Sequence, residues 1–291
     1  MFAKPSALSL SLAAMLFAGC TSAVPAPPAP FSDLDALPPL RTTLACLPDE
    51  AALVAAHRAT SDGYEEAENS LSSLERLIGH GIMMVEVDIA SIADGTPILF
   101  HDGVWEEHAS GTGPVVATAP ADFARLRLKD AQGRVGGEAV PTLADLLQAA
   151  QGRIYLELDL KTSADVDRVV ALVRERGMVD QVLLIASTDE EAERFHRDYG
   201  DEFLLSLPRS FRPGPGAPRQ ALWIGESWEN GAERRLPPRH YVIGAQWQKN
   251  ADALPRAARA LDILVTRQAQ RYPAVAGLKK GAAFRACLRE G

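Results

Sequence analysis

Residues 83–102 read Met-Met-Val-Glu-Val-Asp-Ile-Ala-Ser-Ile-Ala-Asp-Gly-Thr-Pro-Ile-Leu-Phe-His-Asp. Strict alternation places Glu86 and Asp88 on one face of a strand and Val85, Val87 and Ile89 on the other. Asp94-Gly95 turns the chain. The apolar run Pro97-Ile98-Leu99-Phe100 then returns His101 and Asp102 toward the two carboxylates. A half-solvated edge strand shows the same period of two. The alternative is a divalent cation held by Glu86 and Asp88, with His101 moving a proton.

Other apolar runs of similar length flank this stretch. Ala52-Leu53-Val54-Ala55-Ala56 ends in His57-Arg58, and Ile154 to Lys161 puts Glu157, Asp159 and Lys161 on one face. The principal strands are expected to start near 52, 83, 154, 181, 203, 221, 241 and 262. Helical spacing recurs between them. It appears at Leu71, Leu74, Leu77 and Ile78 after Asn69 or Ser70 as cap, and at Leu143, Leu146, Leu147 and Ala150 after Thr142. Val166, Val169, Val170 and Val173 repeat it, and residues 251–261 read as a helix despite Pro255. Strands alternating with helices over about 250 residues predict a closed TIM (β/α)8 barrel in a single domain. A doubly wound open sheet is the runner-up, but no glycine-rich fingerprint follows the first strand. In a barrel, His57, Arg58, Glu86, Asp88, Asp159, Lys161 and Trp247 all end strands at one face, where an active site belongs. Residues 103–140 read as a long functional loop, with Gly111–Pro114 and Gly133–Gly137 as turn chemistry.

The first residues carry Lys4 and an apolar run, Leu8 to Phe17, too short to span a bilayer. Leu16-Phe17-Ala18-Gly19-Cys20 resembles a bacterial lipobox. That resemblance implies a lipoprotein signal peptide over 1–19 and a lipid on Cys20. Thr21 resembles the sorting pattern for the outer membrane, facing the periplasm. An ordinary secretory signal is the alternative. Residues 20–40 form a Pro/Ala-rich linker, and 41–291 form the barrel domain. Cys46 and Cys287 lie near the two ends of that domain, so export predicts a disulfide, with free buried thiols as the alternative. A formal net charge of −8 without a long basic block excludes the electrostatic footprint of a nucleic-acid binder. It does not exclude an anionic substrate, since a metal and a few cations invert the local potential.

With these residues in place, the chain resembles the glycerophosphodiester phosphodiesterase family from His57 to about Pro273. His57-Arg58-Ala59 resembles its His-Arg-Gly, Glu68-Asn69-Ser70 its Glu-Asn-Thr, and Glu86-Val87-Asp88 its Glu-x-Asp pair. Asp94-Gly95-Thr96-Pro97 followed by His101-Asp102, and Pro141-Thr142-Leu143, also resemble family motifs. Asp159-Leu160-Lys161 resembles the acid-x-Lys pattern with Asp for the commoner Glu. Trp247 to Asn250 and Asp262 to Thr266 resemble the closing segments, with Arg267 where Asp is usual.

The resemblance implies metal-dependent hydrolysis of glycerophosphodiesters to sn-glycerol 3-phosphate and an alcohol. Glu86, Asp88 and Asp159 are the expected ligands of one divalent cation, Ca²⁺ or Mg²⁺, with Glu157 as the fallback. Arg58 and Lys161 are expected on the phosphate and Trp247 on the pocket wall. His57 is assigned as base and His101 as acid. A phospholipase-D-like lipid enzyme and a non-catalytic envelope binding protein are the competing functions. Trp105 reads either as a pocket wall or as a packing plug. Asn69 reads as structural, and His80, His108, His196 and His240 as bystanders.

Overall fold

The computed structural model describes residues 36–212, 214, 216–231, 240–247, 254–276 and 281–290. The expected signal segment and most of the expected linker lie outside the described residues, as do Gln248–Asn250. In chain order the strands are β1 (Ala52–Ala56), β2 (Met84–Ser91), β3 (Pro97–Leu99), β4 (Arg127–Lys129), β5 (Val135–Ala139) and β6 (Tyr155–Leu160). They continue as β7 (Val182–Ile185), β8 (Leu204–Pro208), β9 (Ala221–Gly225), β10 (Tyr241–Gln246), β11 (Ile263–Thr266) and β12 (Val275–Ala276). The helices are α1 (Leu40–Cys46), α2 (Leu71–Gly79), α3 (Pro120–Phe123), α4 (Leu143–Ala150), α5 (Val166–Glu175), α6 (Asp189–Tyr199), α7 (Leu254–Ala260) and α8 (Gly281–Glu290).

Strands β1, β2, β6, β7, β8, β9, β10 and β11 pair in that order, all parallel, and β11 pairs back to β1. The sheet therefore closes into the eight-stranded parallel TIM barrel. Two short strands extend it antiparallel, β3 on β2 and β12 on β1. Every residue of β2 is buried, which rules out the edge-strand reading. Val85, Val87, Leu156 and Leu158 point outward and pack with Leu74, Leu77, Leu146 and Val170 of the surrounding helices. Met84, Tyr155, Leu183, Leu204, Ile243 and Val265 fill the barrel interior.

Helix α1 covers the end of the barrel where the strands begin. Leu40 and Leu44 join the interior cluster, and the Tyr155 hydroxyl lies 2.7 Å from Thr43 Oγ1. A Cys46–Cys287 disulfide ties α1 to α8, with a Cα separation of 5.8 Å. The helices over the other end start on side-chain caps. Ser70 accepts from the backbone of Ser73, and Thr142–Asp145 and Thr188–Glu191 form capping boxes.

The 103–140 segment is less irregular than its glycines suggest. Residues of the expected turn at 133–137 enter β5, which pairs with β4 as an antiparallel hairpin. That strand is mostly exposed, so it carries no apolar alternation to read. Trp105 is 1% exposed. Its Nε1 donates to Thr118 Oγ1 at 2.6 Å, and its ring packs 4.7 Å from Phe100. It is a packing plug rather than a pocket wall.

Candidate active site

The register of β2 against β6 builds the floor of the site. It pairs Glu86 with Glu157 and Asp88 with Asp159, so four carboxylates share the inward face in two layers. One oxygen from each of Glu86, Asp88 and Asp159 lies within 4.8 Å of the others, the one such group of three among the described residues. Burial, followed by the charge of Asp88, pushes the Glu86 carboxyl well above its usual range. Burial also raises Asp88, but the Lys161 ammonium and hydrogen bonds from Lys161 and Asn69 outweigh it and hold Asp88 below its usual value. Three converging carboxylates are a hard-oxygen donor set, which fits Ca²⁺ or Mg²⁺ and not a soft thiolate-type ion.

Glu157 sits one layer deeper. It is fully buried, and neither carboxylate oxygen has a hydrogen-bond partner. Burial and then Asp159 push its carboxyl up to about 8. Asp159, not Glu157, stands in the group of three.

Two cations lean on these acids. Lys161 Nζ lies 2.7 Å from Asp88 Oδ1 and 2.6 Å from Asp159 Oδ2. Arg58 Nη1 donates to Glu68 Oε1 at 2.8 Å, its Nε lies 3.5 Å from Asp88 Oδ2, and its backbone N–H donates to Glu86 Oε2 at 2.8 Å. That backbone donor is available because the chain turns sharply after β1, with Arg58 at φ 52° and Ala59 at φ 45°. A left-handed non-glycine residue costs about 1–2 kcal/mol. The fully buried Ala59 methyl packs into the core there, where a glycine could not.

Asn69 corrects the sequence reading. Ser70 caps α2, while Asn69 Nδ2 donates to Asp88 Oδ2 at 2.7 Å and Asn69 Oδ1 accepts from the Asp88 backbone N–H at 3.1 Å. A buried amide gripping a carboxylate from both ends belongs to the site, not to the helix end.

His57 Nε2 lies 3.8 Å from Glu86 Oε2. Burial first, then the Arg58 charge, lowers the His57 imidazole to about 3, so it is neutral at neutral pH. Its ring meets Trp247 edge-on at 4.6 Å, and Arg267 Nε approaches its Nδ1 at 3.4 Å. His101 Nδ1 lies 2.8 Å from Asp102 Oδ1. Trp247 is 37% exposed and lines a cavity of about 280 Å³ with His57, Glu86, Glu157, Asp159 and Trp223. Trp223 was legible only as a strand residue, although its alternation with Ala221 puts it on the inward face. His108 Nε2 stands 3.3 Å from Asp102 Oδ2. His80 and His196 take no part, with His80 Nδ1 2.7 Å from the Arg76 carbonyl and the His196 ring against Phe211.

Residues 57–194 match the sequence model of the Glycerophosphoryl diester phosphodiesterase family. The match takes in just under half of the chain, and over those residues the chain is similar to this family. A Mus musculus protein named Glycerophosphodiester phosphodiesterase 1 is 26% identical over 144 residues, covering 46% of this chain and 41% of that protein. The chain therefore aligns with less than half the length of this curated relative. Among solved structures, a glycerophosphodiester phosphodiesterase from Agrobacterium tumefaciens is similar with a TM-score of 0.62 at 20% identity, covering 75% of this chain and 98% of that one. A phosphodiesterase from Oleispira antarctica, in complex with the product sn-glycerol-3-phosphate, gives a TM-score of 0.62 at 21% identity over 79% of this chain and 96% of that one. At these identities the neighbours show the barrel fold shared with the family. The family match spans His57, Arg58, Glu86, Asp88, His101, Asp159 and Lys161, and ends before Trp223, Trp247 and Arg267.

Proposed function

We propose that the protein hydrolyses glycerophosphodiesters to sn-glycerol 3-phosphate and an alcohol, with one Ca²⁺ or Mg²⁺ held by Glu86, Asp88 and Asp159. The observation that carries this reading is the meeting of three carboxylates, Arg58, Lys161 and two histidines at one end of a barrel that matches the phosphodiesterase family. When bound, the cation would polarise a nonbridging phosphoryl oxygen and draw charge from the transition state. Arg58 offers a planar fork of donors to phosphoryl oxygens, and Lys161 a point charge. Neutral His57 is in the form a base needs to accept the proton of the attacking hydroxyl. His101 has its Nδ1 2.8 Å from Asp102 Oδ1, which leaves Nε2 as the nitrogen that would protonate the departing alcohol when the ring carries both protons. The product found in the Oleispira antarctica neighbour supports the same product class here.

The lipid-enzyme alternative is weaker. A lipid substrate would call for an apolar mouth, but Trp105 is buried as a plug, and a cavity of about 280 Å³ suits a small diester. We further propose that the chain is lipid-anchored through Cys20 at the outer membrane, facing the periplasm. No helix among the described residues is long and apolar enough to cross a membrane. Loss of the chain from the membrane fraction on Cys20→Ala tests the anchor.

The activity test is release of sn-glycerol 3-phosphate from glycerophosphocholine and glycerophosphoethanolamine with Ca²⁺ or Mg²⁺. EDTA and Asp88→Asn should each abolish it. A folded protein releasing no product with either ion would refute the proposal.

A further inference from the structure

Asp102 stands between two imidazoles. Its Oδ1 is engaged by His101 Nδ1 at 2.8 Å. Its Oδ2 is buried and makes no hydrogen bond, yet lies 3.3 Å from His108 Nε2. The same nitrogen lies 3.6 Å from Glu68 Oε1, the oxygen that accepts from Arg58 at 2.8 Å. One ring thus touches the support of His101 and the support of Arg58.

The mount of that ring is firm. The His108 carbonyl accepts from the Lys129 backbone N–H at 2.8 Å, and Ala109 bridges to Leu128. Its ring stands edge-on to Phe100 at 6.5 Å, whose other neighbour is the Trp105 plug. The 103–140 excursion therefore delivers a side chain to the site as well as covering the barrel.

We infer that His108 is a positioning residue that holds Asp102, and through it His101, in the orientation needed for proton transfer. With His101 Nδ1 on one oxygen and His108 Nε2 standing 3.3 Å from the other, the carboxylate is hindered from swivelling about its Cβ–Cγ bond. With His108 removed, the buried Oδ2 loses the ring nitrogen that faces it, and the carboxylate is free to turn toward another donor. His101 then loses the alignment of its Nδ1–H and, with it, the aim of Nε2. The catalytic consequence rests on the hydrolase reading above; the geometric one does not.

The test compares the parent with His108→Ala, His108→Gln, Asp102→Ala and the double variant His108→Ala/Asp102→Ala. Outer partners that orient functional groups are worth about 10–100-fold, so His108→Ala should lower kcat on glycerophosphocholine by that factor while KM changes less. Glutamine carries an N–H at a reach similar to Nε2, so His108→Gln should recover most of kcat. In the Asp102→Ala background, His108→Ala should add no further loss. The ¹⁵N resonances of the His101 ring give a readout independent of turnover. In the neutral form of the His101 ring, the Nδ1–H tautomer should dominate in the parent and His108→Gln and be averaged in His108→Ala, with the same spectra reporting that each variant is folded. Losses that multiply in the double variant, a glutamine variant as poor as alanine, or an unchanged His101 tautomer in His108→Ala would each overturn the inference. A parent without turnover would refute the hydrolase reading, and the tautomer measurement would still decide the role of His108.

Discussion

Replacing Glu157 with glutamine should stabilise the cation-free protein, and the gain should grow with pH. Glu157 is fully buried, with both carboxylate oxygens unpartnered. Burial and the neighbouring Asp159 raise its carboxyl from an ordinary 4.5 to about 8. Below pH 4.5 the folded and unfolded chains both carry this proton, and the group makes stability no different. Between pH 4.5 and 8 the unfolded chain releases the proton while the folded chain keeps it. Stability then falls by about 1.4 kcal/mol for each tenfold drop in proton concentration. At pH 7 that amounts to about 3 kcal/mol, and above pH 8 the penalty levels off near 5 kcal/mol. Glutamine has the same shape and no proton to lose, so its variant lacks this term. It retains an unpartnered amide, which makes these figures upper bounds. The assay is urea unfolding of both proteins in EDTA at half-unit steps from pH 4.5 to 9. Glu86, which burial and Asp88 also push up, remains in both proteins and largely cancels in the difference. A difference that stays flat across the range, or grows toward acid, would refute the reasoning.

Cation affinity should fall as pH falls, because burial and Asp88 make the Glu86 carboxyl hold a proton more readily than an ordinary one and the cation competes with that proton. Calorimetry in buffers of different ionisation enthalpy should show net proton release on loading, and Asp159→Asn should weaken binding more than Glu157→Gln. Removing His57 or His101 should lower turnover by about 10²–10⁴-fold. A nitrophenyl diester, whose leaving group needs no proton, should rescue His101→Ala and not His57→Ala, and the opposite result would exchange the two roles. Reduction of Cys46–Cys287, which joins positions 241 residues apart, should lower stability by about 2–4 kcal/mol, read as a drop in the urea midpoint.

The eight barrel strands begin within a residue or so of where apolar runs place them, from Ala52 to Ile263. This was legible because a strand's alternation and a helix's spacing are written within a dozen consecutive residues. The alternation of β2 likewise showed that Glu86 and Asp88 share a face. It did not show which face is interior, since an edge strand alternates in the same way. The flanking β1 and β6 decided that. The contacts of Asn69 and His108 were not legible for a related reason. Each looks locally like a helix-end amide or a loop histidine, and its partner, Asp88 or Asp102, is reached only through tertiary contacts.

From the sequence alone come the strand and helix pattern, the barrel class, and the acids, cations and histidines that end its strands. All are local periodicities or short motifs. The tertiary structure alone decides that Asp88 and Asp159 stand side by side in register, that Glu157 is buried without a partner, and that His108 reaches Asp102. Those are distances across the fold, set by closure of the parallel sheet and by the mounting of the excursion upon it. No window of neighbouring residues encodes them.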